Sequence, residues 1–410
     1  MSVAQSVFAS EQLAPATQPE KAAHYNLAIE YLRAFVTVLV VAHHAVLAYF
    51  QYAPPPMPFT AEPRLWRAFP VVDGARWSGF TFFVGFNDVF FMSLMFFLSG
   101  LFVWNSLQRK GAGSFLRDRV LRLGLPFAIS AALIAPIAYY PAYLTTTHLP
   151  SVAGYLRAWF SFRDWPAGPA WFIWLLLAFD CAAAGFYALS PKWAESIGRL
   201  TSGASQRPAA FFALLVGISA AVYIPISLAF TPMAWAALGP FTFQTSRLLH
   251  YFVYFLAGIG VGALGIERGL LAPEGELARR WWLWLVATPV AYAVVVTIVI
   301  AAMVTPARMT LWTAIGGFAF ALSCATSGYV CLALFVRFAK KPRKLFDSLR
   351  DNAYGIYLLH YAFVAWVQYS LLPAAMPGLL KGVTAFLGAL ALSWGFVAAL
   401  RRIPAVARVI

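Results

Sequence analysis

Charged side chains are scarce in this chain of 410 residues, and acidic ones are scarcer than basic ones. Only 11% of the residues are Asp, Glu, Lys or Arg, whereas 61% are hydrophobic, and the mean hydropathy is +0.72. A soluble domain normally carries about 25% charged residues. This composition therefore excludes a water-facing globule and predicts a protein that lies largely within a lipid bilayer.

Cysteine is also rare, and the three cysteines form no pattern. Cys181, Cys324 and Cys331 fall in or beside apolar runs, at no spacing typical of metal ligands. They predict neither a disulfide framework nor a metal site. Residues 1–25 lack the charged start, apolar core and cleavage site of a signal peptide, so we expect a short, polar cytoplasmic tail.

Long, continuous apolar runs are abundant. Runs of about 20 residues suit helices that cross a bilayer, and these runs do not alternate every second residue as the strands of a membrane barrel do. We therefore predict an all-α, polytopic integral membrane protein, with about ten transmembrane helices in one domain of residues 26–403. The candidate helices lie near residues 28–50, 84–106, 121–140, 170–190, 210–230, 248–266, 282–303, 311–336, 353–373 and 382–400.

The distribution of Lys and Arg predicts the orientation of these helices. If the N-terminus is cytoplasmic, 21 of the 30 Lys and Arg residues fall in cytoplasmic segments and 8 fall in external ones. Cytoplasmic loops of membrane proteins carry such an excess, so we predict that both termini are cytoplasmic. The net charge of +15 then reflects topology and contact with anionic membrane lipids, and we expect no nucleic-acid partner.

Two ionisable side chains, Arg33 and His44, interrupt the first apolar run. Ionisable groups within a bilayer are unfavourable and usually mark a functional site. Eleven residues of helix make about three turns, so both side chains share one face, roughly 16 Å apart. A neutral imidazole can act as a general base towards an alcohol, and arginine can bind a phosphate or carboxylate. We therefore predict that His44 and Arg33 are catalytic, and that Glu30 pairs with Arg33.

Structural roles are alternatives for the same residues. Arg33 is close enough to the helix end to reach lipid headgroups, and His43 and His44 could hydrogen-bond between helices. Asp88 and Asp180 are the acidic residues that could orient His44, as a carboxylate does in a catalytic triad. The sequence does not decide between these two carboxylates, and either could instead make a polar contact between helices.

Five segments, in order, resemble the membrane acyltransferase-3 family. The first-helix signature of that family, an arginine followed after ten residues by histidine, is matched by Arg33 and His44. The overall pattern is similar to the branch related to the periplasmic-glucan succinylation protein. The matching segments cover roughly residues 25–370, and the later ones are residues 96–102, 115–126, 169–174 and 354–360.

The resemblance implies an O-acyltransferase embedded in a membrane, expected to be a bacterial inner membrane. Such a protein takes an acyl group, for example acetyl or succinyl, from cytoplasmic acyl-CoA and places it on a hydroxyl of an extracytoplasmic carbohydrate or related acceptor. By position, His44 becomes the base, Arg33 its partner on the donor side, and Arg119 and Arg122 the pair that binds acyl-CoA. Acyl-CoA would be a co-substrate, and no cofactor would be bound permanently.

Other polar and aromatic residues are weaker candidates for substrate contact. Tyr357 and His360 share a helix face, although core hydrogen bonding is the simpler interpretation, and Trp171 also fits an aromatic belt at the membrane interface. Ser99 and Gly100 are expected to be a close-packing pair rather than a nucleophile. The full set of weaker candidates is Glu30, Asp88, Asp180, Trp171, Tyr357 and His360.

Two external segments are candidates for binding the acceptor, because long ordered loops often carry binding residues. They are residues 51–83 and 141–168, and stacking of a sugar on Trp159 or Trp165 is a minor alternative there. The main alternative function is a membrane transporter of an anion or carbohydrate, although we see no repeat between the two halves of the chain. A scaffold whose membrane charges only pack helices is a third possibility.

Overall fold

The computed structural model describes residues 26–193, 196–197 and 207–409. Within these residues the chain is mostly helical, and its strands form a single two-stranded sheet. The predicted tail, residues 1–25, lies outside the described residues.

In the part of the chain that the structure describes, eleven helices of ten or more residues form the framework. They are α1 (Leu27–Val46), α2 (Gly79–Gly100), α3 (Val103–Thr146), α4 (Val152–Ser161), α5 (Trp171–Leu189), α6 (Pro208–Phe230), α7 (Leu248–Leu264), α8 (Trp281–Val304), α9 (Met309–Phe338), α10 (Lys344–Leu371) and α11 (Gly378–Leu400). The sheet is an antiparallel hairpin of β1 (Trp235–Leu238) and β2 (Phe241–Gln244), in which Trp235 lies opposite Gln244.

The prediction of an all-α, polytopic membrane protein is confirmed. Among the described residues, nine helical segments are long and apolar enough to cross a membrane. Helix α10 is a tenth long helix, with 28 residues, but its mean hydropathy is lower because polar side chains interrupt its apolar part. Two of these, His360 and Gln368, are 0% and 2% exposed. Polar residues in a membrane helix face the interior of the bundle, so α10 is an inner element.

Helix α3 is irregular in three places. It bends at Gly111, whose φ of +73° suits glycine because an L side chain rarely adopts that conformation. Two π-helical turns follow, at Val120–Gly124 and Ser130–Ile134. Such turns are frequent at functional sites, and the first one begins directly after Arg119.

Helices α2 and α7 pack backbone against backbone. A Cβ atom added at Gly100 would lie 2.2 Å from the carbonyl oxygen of Phe255, and one added at Gly258 would lie 2.1 Å from that of Phe97. Small residues permit such close approach between membrane helices. The packing role predicted for the Ser99–Gly100 pair is confirmed, and the Ser99 hydroxyl donates to a carbonyl of its own helix.

Helices α1 and α10 lie side by side and run in the same direction. We call the end of the bundle at which α1 begins the proximal end, and the opposite end the distal end. At the proximal end the Tyr31 hydroxyl donates to Asp347 over 2.7 Å. Farther along α1, the side-chain amide of Gln368 donates to the carbonyl oxygen of His44 over 2.9 Å. These contacts fix the register of α1 against α10.

At the distal end, aromatic side chains join the segment between α1 and α2 to the segment around α4. The rings of Phe59 and Trp66 stack with centroids 4.4 Å apart. Trp159 of α4 belongs to the same cluster and is 1% exposed. Its ring is therefore part of the core and is not available to stack on a sugar.

A charged contact reinforces the same junction. Asp164, which follows α4, lies 2.9 Å from a guanidinium nitrogen of Arg64 and 2.6 Å from one of Arg67. Burial raises the pKa of Asp164, but the hydrogen bond from Arg67 and the positive charges of both arginines outweigh it, so the pKa falls below its ordinary value of 3.8. The carboxylate therefore stays ionised and clamps the two distal segments together.

Candidate functional site

The predicted base, His44, lies near the distal end of α1 and is half-buried. Its Nδ1 atom is 2.9 Å from the carbonyl oxygen of Val40, one turn earlier on α1. The same nitrogen is 3.2 Å from Nε2 of His360 on α10. The ring of Tyr361 packs edge-to-face against the imidazole, with centroids 5.1 Å apart. The site is therefore built where α1 meets α10.

His360 is held in turn by its own helix. Its side chain is completely buried, and its Nδ1 atom is 2.7 Å from the carbonyl oxygen of Tyr357. The Tyr357 hydroxyl donates to the carbonyl oxygen of Pro169, just before α5. Both residues were weak candidates for substrate contact. The structure brings them beside the predicted base, where they connect α1, α10 and the start of α5.

A cleft opens next to this group. Residues of α3, together with Pro169 and Ala170, line one side of it, and Tyr357 and Tyr361 line the other. Because the Tyr361 ring also contacts the imidazole of His44, the cleft lies one side chain away from the predicted base.

Arg33 lies on the proximal half of α1. Its guanidinium is 3.4 Å from the carboxylate of Glu30, and it sits 5.8 Å from the ring centre of Phe102. The Arg33 side chain is 43% exposed, so the contact with Glu30 leaves much of the guanidinium open to a ligand. Arg33 and His44 lie roughly 16 Å apart along α1, as measured by the helix rise.

Arg119 on α3 pairs with Asp180 on α5. The Nε atom of Arg119 is 3.2 Å from a carboxylate oxygen of Asp180, and its guanidinium packs over the ring of Phe115 at 4.9 Å. The Asp180 side chain is only 1% exposed, whereas that of Arg119 is 24% exposed. This ion pair therefore buries its anion and presents its cation.

Arg122, the second member of the predicted pair, has different surroundings. It lies within the π-helical turn that follows Arg119, and its side chain is exposed. Its carbonyl oxygen accepts a hydrogen bond from the hydroxyl of Tyr354 on α10. The two arginines, expected to share one helix face, thus differ: Arg119 is turned towards α5, and Arg122 is free for an external ligand.

Asp88 on α2 pairs with Arg247, the residue before α7. Arg247 donates to a carboxylate oxygen of Asp88 over 2.6 Å and to its backbone carbonyl over 2.8 Å. The guanidinium also packs over the ring of Phe320 at 4.8 Å. The Arg247 side chain is 6% exposed and that of Asp88 is 41% exposed. This ion pair therefore buries its cation and presents its anion.

In the part of the chain that the structure describes, neither Asp88 nor Asp180 contacts His44. Each carboxylate pairs with an arginine instead, because a charge in apolar surroundings is stabilised by an opposite charge. The nitrogen of His44 that was expected to face a carboxylate faces His360 and Val40. His44 and His360 are 316 positions apart, and no spacing rule links residues so distant in sequence.

His43 lies next to His44 on α1 but belongs to the other group of charges. Its ring stacks on Phe91 with centroids 5.2 Å apart, and it interacts electrostatically with both Asp88 and Arg247. Within the described residues, its Nδ1 atom has no hydrogen-bond partner. The two neighbouring imidazoles, whose ring centroids are 5.4 Å apart, therefore connect the Asp88–Arg247 pair to the predicted base.

Trp171 begins α5 and forms an aromatic wall near the Asp88–Arg247 pair. Its ring centroid is 5.6 Å from that of Trp235 in β1 and 5.9 Å from that of Tyr251 in α7. Tyr251 in turn interacts with Arg247 and Asp88. Trp235 is 51% exposed, so part of this aromatic surface is open to a ligand.

The arrangement combines a half-buried imidazole, partly exposed arginine side chains and a partly exposed carboxylate. It can accept a proton from a hydroxyl, bind an anionic ligand and hold a ligand rich in hydroxyl groups.

A family model described as an acyltransferase domain matches residues 26–398, most of the chain. No curated protein and no solved structure matches the chain.

Proposed function

The chain belongs to the acyltransferase-3 family of membrane acyltransferases, and we propose that it transfers an acyl group from cytoplasmic acyl-CoA to a hydroxyl of an extracytoplasmic carbohydrate or related acceptor. The observation that carries this proposal is the position of His44. The imidazole lies near the distal end of α1, with arginines presented on the proximal side and the Asp88 carboxylate presented near its neighbour His43.

In the proposed orientation the proximal end faces the cytoplasm, and both termini are cytoplasmic. The excess of Lys and Arg in the proximal connections supports this orientation. The family resemblance supports a bacterial inner membrane as the compartment. Acetyl and succinyl groups are the first acyl groups to test, the second because of the resemblance to the glucan-succinylation branch.

Arginines on the proximal side bind the donor. Arg119 and Arg122 hold the phosphates of acyl-CoA, because guanidinium groups bind phosphate oxygens through short, charge-assisted hydrogen bonds. Arg33 lies roughly 16 Å along α1 from His44, and its guanidinium pairs with Glu30, one turn closer to the proximal end. We therefore assign Arg33 to the polar part of the donor, which lets the thioester extend towards His44.

His44 acts on the acceptor hydroxyl. It takes the hydroxyl proton while the oxygen attacks the thioester carbonyl carbon, and a C–O bond forms. The tetrahedral intermediate then breaks its C–S bond, and the proton on His44 passes to the departing sulfur. The products are the ester and the free thiol of CoA. Direct transfer needs no serine nucleophile, and Ser99 already donates its hydroxyl to its own helix.

The distal side binds the acceptor. Asp88 presents a carboxylate that can accept hydrogen bonds from hydroxyl groups, while buried Arg247 holds it in place. Trp171 and Trp235 offer aromatic surface against which the apolar face of a sugar can pack. A presented carboxylate repels anions, so the acceptor that this side suits is an uncharged molecule rich in hydroxyl groups.

Calorimetry tests the proposal most directly, with acetyl-, succinyl- and longer acyl-CoA titrated into the purified protein in detergent. We expect binding to weaken in the Arg119→Ala/Arg122→Ala variant. It should persist in a matched control, Arg279→Ala/Arg280→Ala, which also removes two proximal arginines, both exposed. If a well-folded sample binds none of these donors, the proposal fails, and uptake of carbohydrate by vesicles without acyl-CoA would then indicate transport.

A further inference from the structure

We propose that His360 is a positioning residue, which fixes the orientation and the protonation of His44 by accepting a hydrogen bond from it. The inference rests on the proposed function, because it assigns His44 the role of base. The geometric part of the inference is the hydrogen bond between two imidazoles on different helices, α1 and α10. The Nδ1 atom of His44 and the Nε2 atom of His360 lie 3.2 Å apart.

Two backbone carbonyls determine which nitrogens carry protons. A carbonyl oxygen can only accept a hydrogen bond. The Nδ1 atom of His360, 2.7 Å from the carbonyl of Tyr357, must therefore carry a proton, and the Nε2 atom of neutral His360 is a bare acceptor. The Nδ1 atom of His44, 2.9 Å from the carbonyl of Val40, must carry a proton by the same argument.

The hydrogen bond between the two rings then has only one direction. The protonated Nδ1 atom of His44 donates to the bare Nε2 atom of His360 and, at the same time, to the carbonyl of Val40. This arrangement leaves the Nε2 atom of His44 unprotonated. That nitrogen is the one with which His44 can take a proton from a hydroxyl.

His360 thereby takes the place that a carboxylate has in a catalytic triad, where the third residue fixes the tautomer of the histidine and stabilises it when it becomes charged. A neutral partner suits this location, because a permanent charge that is buried without a counter-charge is strongly unfavourable. Within the described residues, the rings of His43 and Tyr361 also pack against His44, and neither forms a hydrogen bond with its imidazole. Only His360 and Val40 bond to Nδ1 among the described residues.

The kinetic test compares two substitutions of His360. Glutamine can still accept a hydrogen bond from His44 through its side-chain oxygen, whereas leucine cannot. We expect His360→Leu to lower kcat by about 100-fold with an unchanged KM for acyl-CoA. The kcat of His360→Gln should be at least tenfold higher than that of His360→Leu. The pH at which the rate is half-maximal should fall in His360→Leu, because protonated His44 loses an acceptor.

His250→Gln is the matched control. His250 is also completely buried, and it hydrogen-bonds to Ser93 between α2 and α7, away from the His44–His360 pair. Its substitution removes a buried imidazole without touching His44, so kcat should stay within about twofold and the pH profile should not move. Equal rates for His360→Leu and His360→Gln, or an unchanged pH profile in both, would overturn the positioning role.

A second measurement does not depend on activity. In a ¹⁵N spectrum of protein labelled at histidine, neutral His44 should show a protonated Nδ1 and a bare Nε2, and its signals are identified by their loss in His44→Ala. The opposite tautomer contradicts the inference even if transfer is observed. If the protein transfers no acyl group, the proposed function fails, while the spectrum still decides the geometric part.

Discussion

Two ion pairs of the helical bundle, Arg119–Asp180 and Arg247–Asp88, bury opposite members. In the Arg119–Asp180 pair the carboxylate is hidden, at 1% exposure, and the guanidinium is presented. In the Arg247–Asp88 pair the guanidinium is hidden, at 6% exposure, and the carboxylate is presented. Both pairs lower the unfavourable free energy of burying a charge. They differ in which member is left for a ligand, and also in their contacts, because Arg247 donates two hydrogen bonds to Asp88 whereas Arg119 approaches Asp180 through Nε at 3.2 Å.

This inversion teaches that one bundle can offer opposite charges to two different ligands. A presented guanidinium attracts an anion such as the phosphates of acyl-CoA, and a presented carboxylate accepts hydrogen bonds from hydroxyl groups. The predicted base is linked to the second pair through His43, which interacts with Asp88 and Arg247 and whose ring centroid lies 5.4 Å from that of His44. The chemistry that we propose places the base between a donor and an acceptor.

The largest effect should come from removing the base between the two pairs. We expect His44→Ala to lower kcat by about 10³-fold, because general-base catalysis contributes roughly 10²- to 10⁴-fold. Acyl-CoA binding and the melting temperature should stay close to wild type. The control is His43→Gln, which changes the adjacent imidazole. If His44→Ala retains its rate, or if the two variants lose activity equally, His44 is not the base.

The next largest effect should come from changing Arg119, the group presented on the proposed donor side. Arg119→Ala should raise the KM for acyl-CoA by about 10- to 100-fold, the range expected for a lost hydrogen bond to a charged group. It also leaves Asp180 buried without its partner, so its melting temperature should fall. The double variant Arg119→Ala/Asp180→Asn should recover stability but not donor affinity. Recovery of both would mean that Arg119 only neutralises Asp180.

On the acceptor side, Asp88→Asn should raise the KM for a neutral carbohydrate acceptor by about tenfold, since an amide accepts hydrogen bonds less strongly than a carboxylate. The affinity for acyl-CoA, measured by calorimetry, should not change. The same variant should use an acidic sugar better than the wild type does. A change in acyl-CoA affinity with no change for the acceptor would reverse our assignment of the two sides.

The smallest effect should come from the distal Asp164 clamp, which lies outside both pairs. The pKa of Asp164 is lowered in the folded protein, so the clamp stabilises the fold at pH values above 3.8, the ordinary pKa of this carboxyl group. This stabilisation is lost as the pH falls below 3.8. Asp164→Asn should therefore lower the melting temperature by at most ~2 °C at pH 6, since the carboxylate is partly exposed. The difference from wild type should shrink steadily as the pH falls below 3.8, and a difference that does not change with pH would exclude an ionic origin.

The helices and the first-helix pattern could be predicted from the sequence, because both depend on local spacing. The contact of Arg33 with Glu30, three residues away, is also local. The partner of His44 could not be predicted, since it depends on how α10 packs against α1. Which member of each ion pair is exposed also depends on packing. The sequence shows that the charged residues are present, but it gives no information about which side chain is buried.

The close approach of α2 and α7 has a mechanical consequence. Asp88 lies on α2 and Arg247 directly precedes α7, and at Gly100 and Gly258 the backbones of these two helices touch, so no side chain at those positions could repack to let the helices shift. The Asp88–Arg247 pair, which we propose to contact the acceptor, therefore belongs to one stiff unit. Arg119, by contrast, lies on α3 between the bend at Gly111 and a π-helical turn, where the backbone is least regular. Under the proposed function, we expect the donor to exchange by bending of α3 while the Asp88–Arg247 pair keeps its shape.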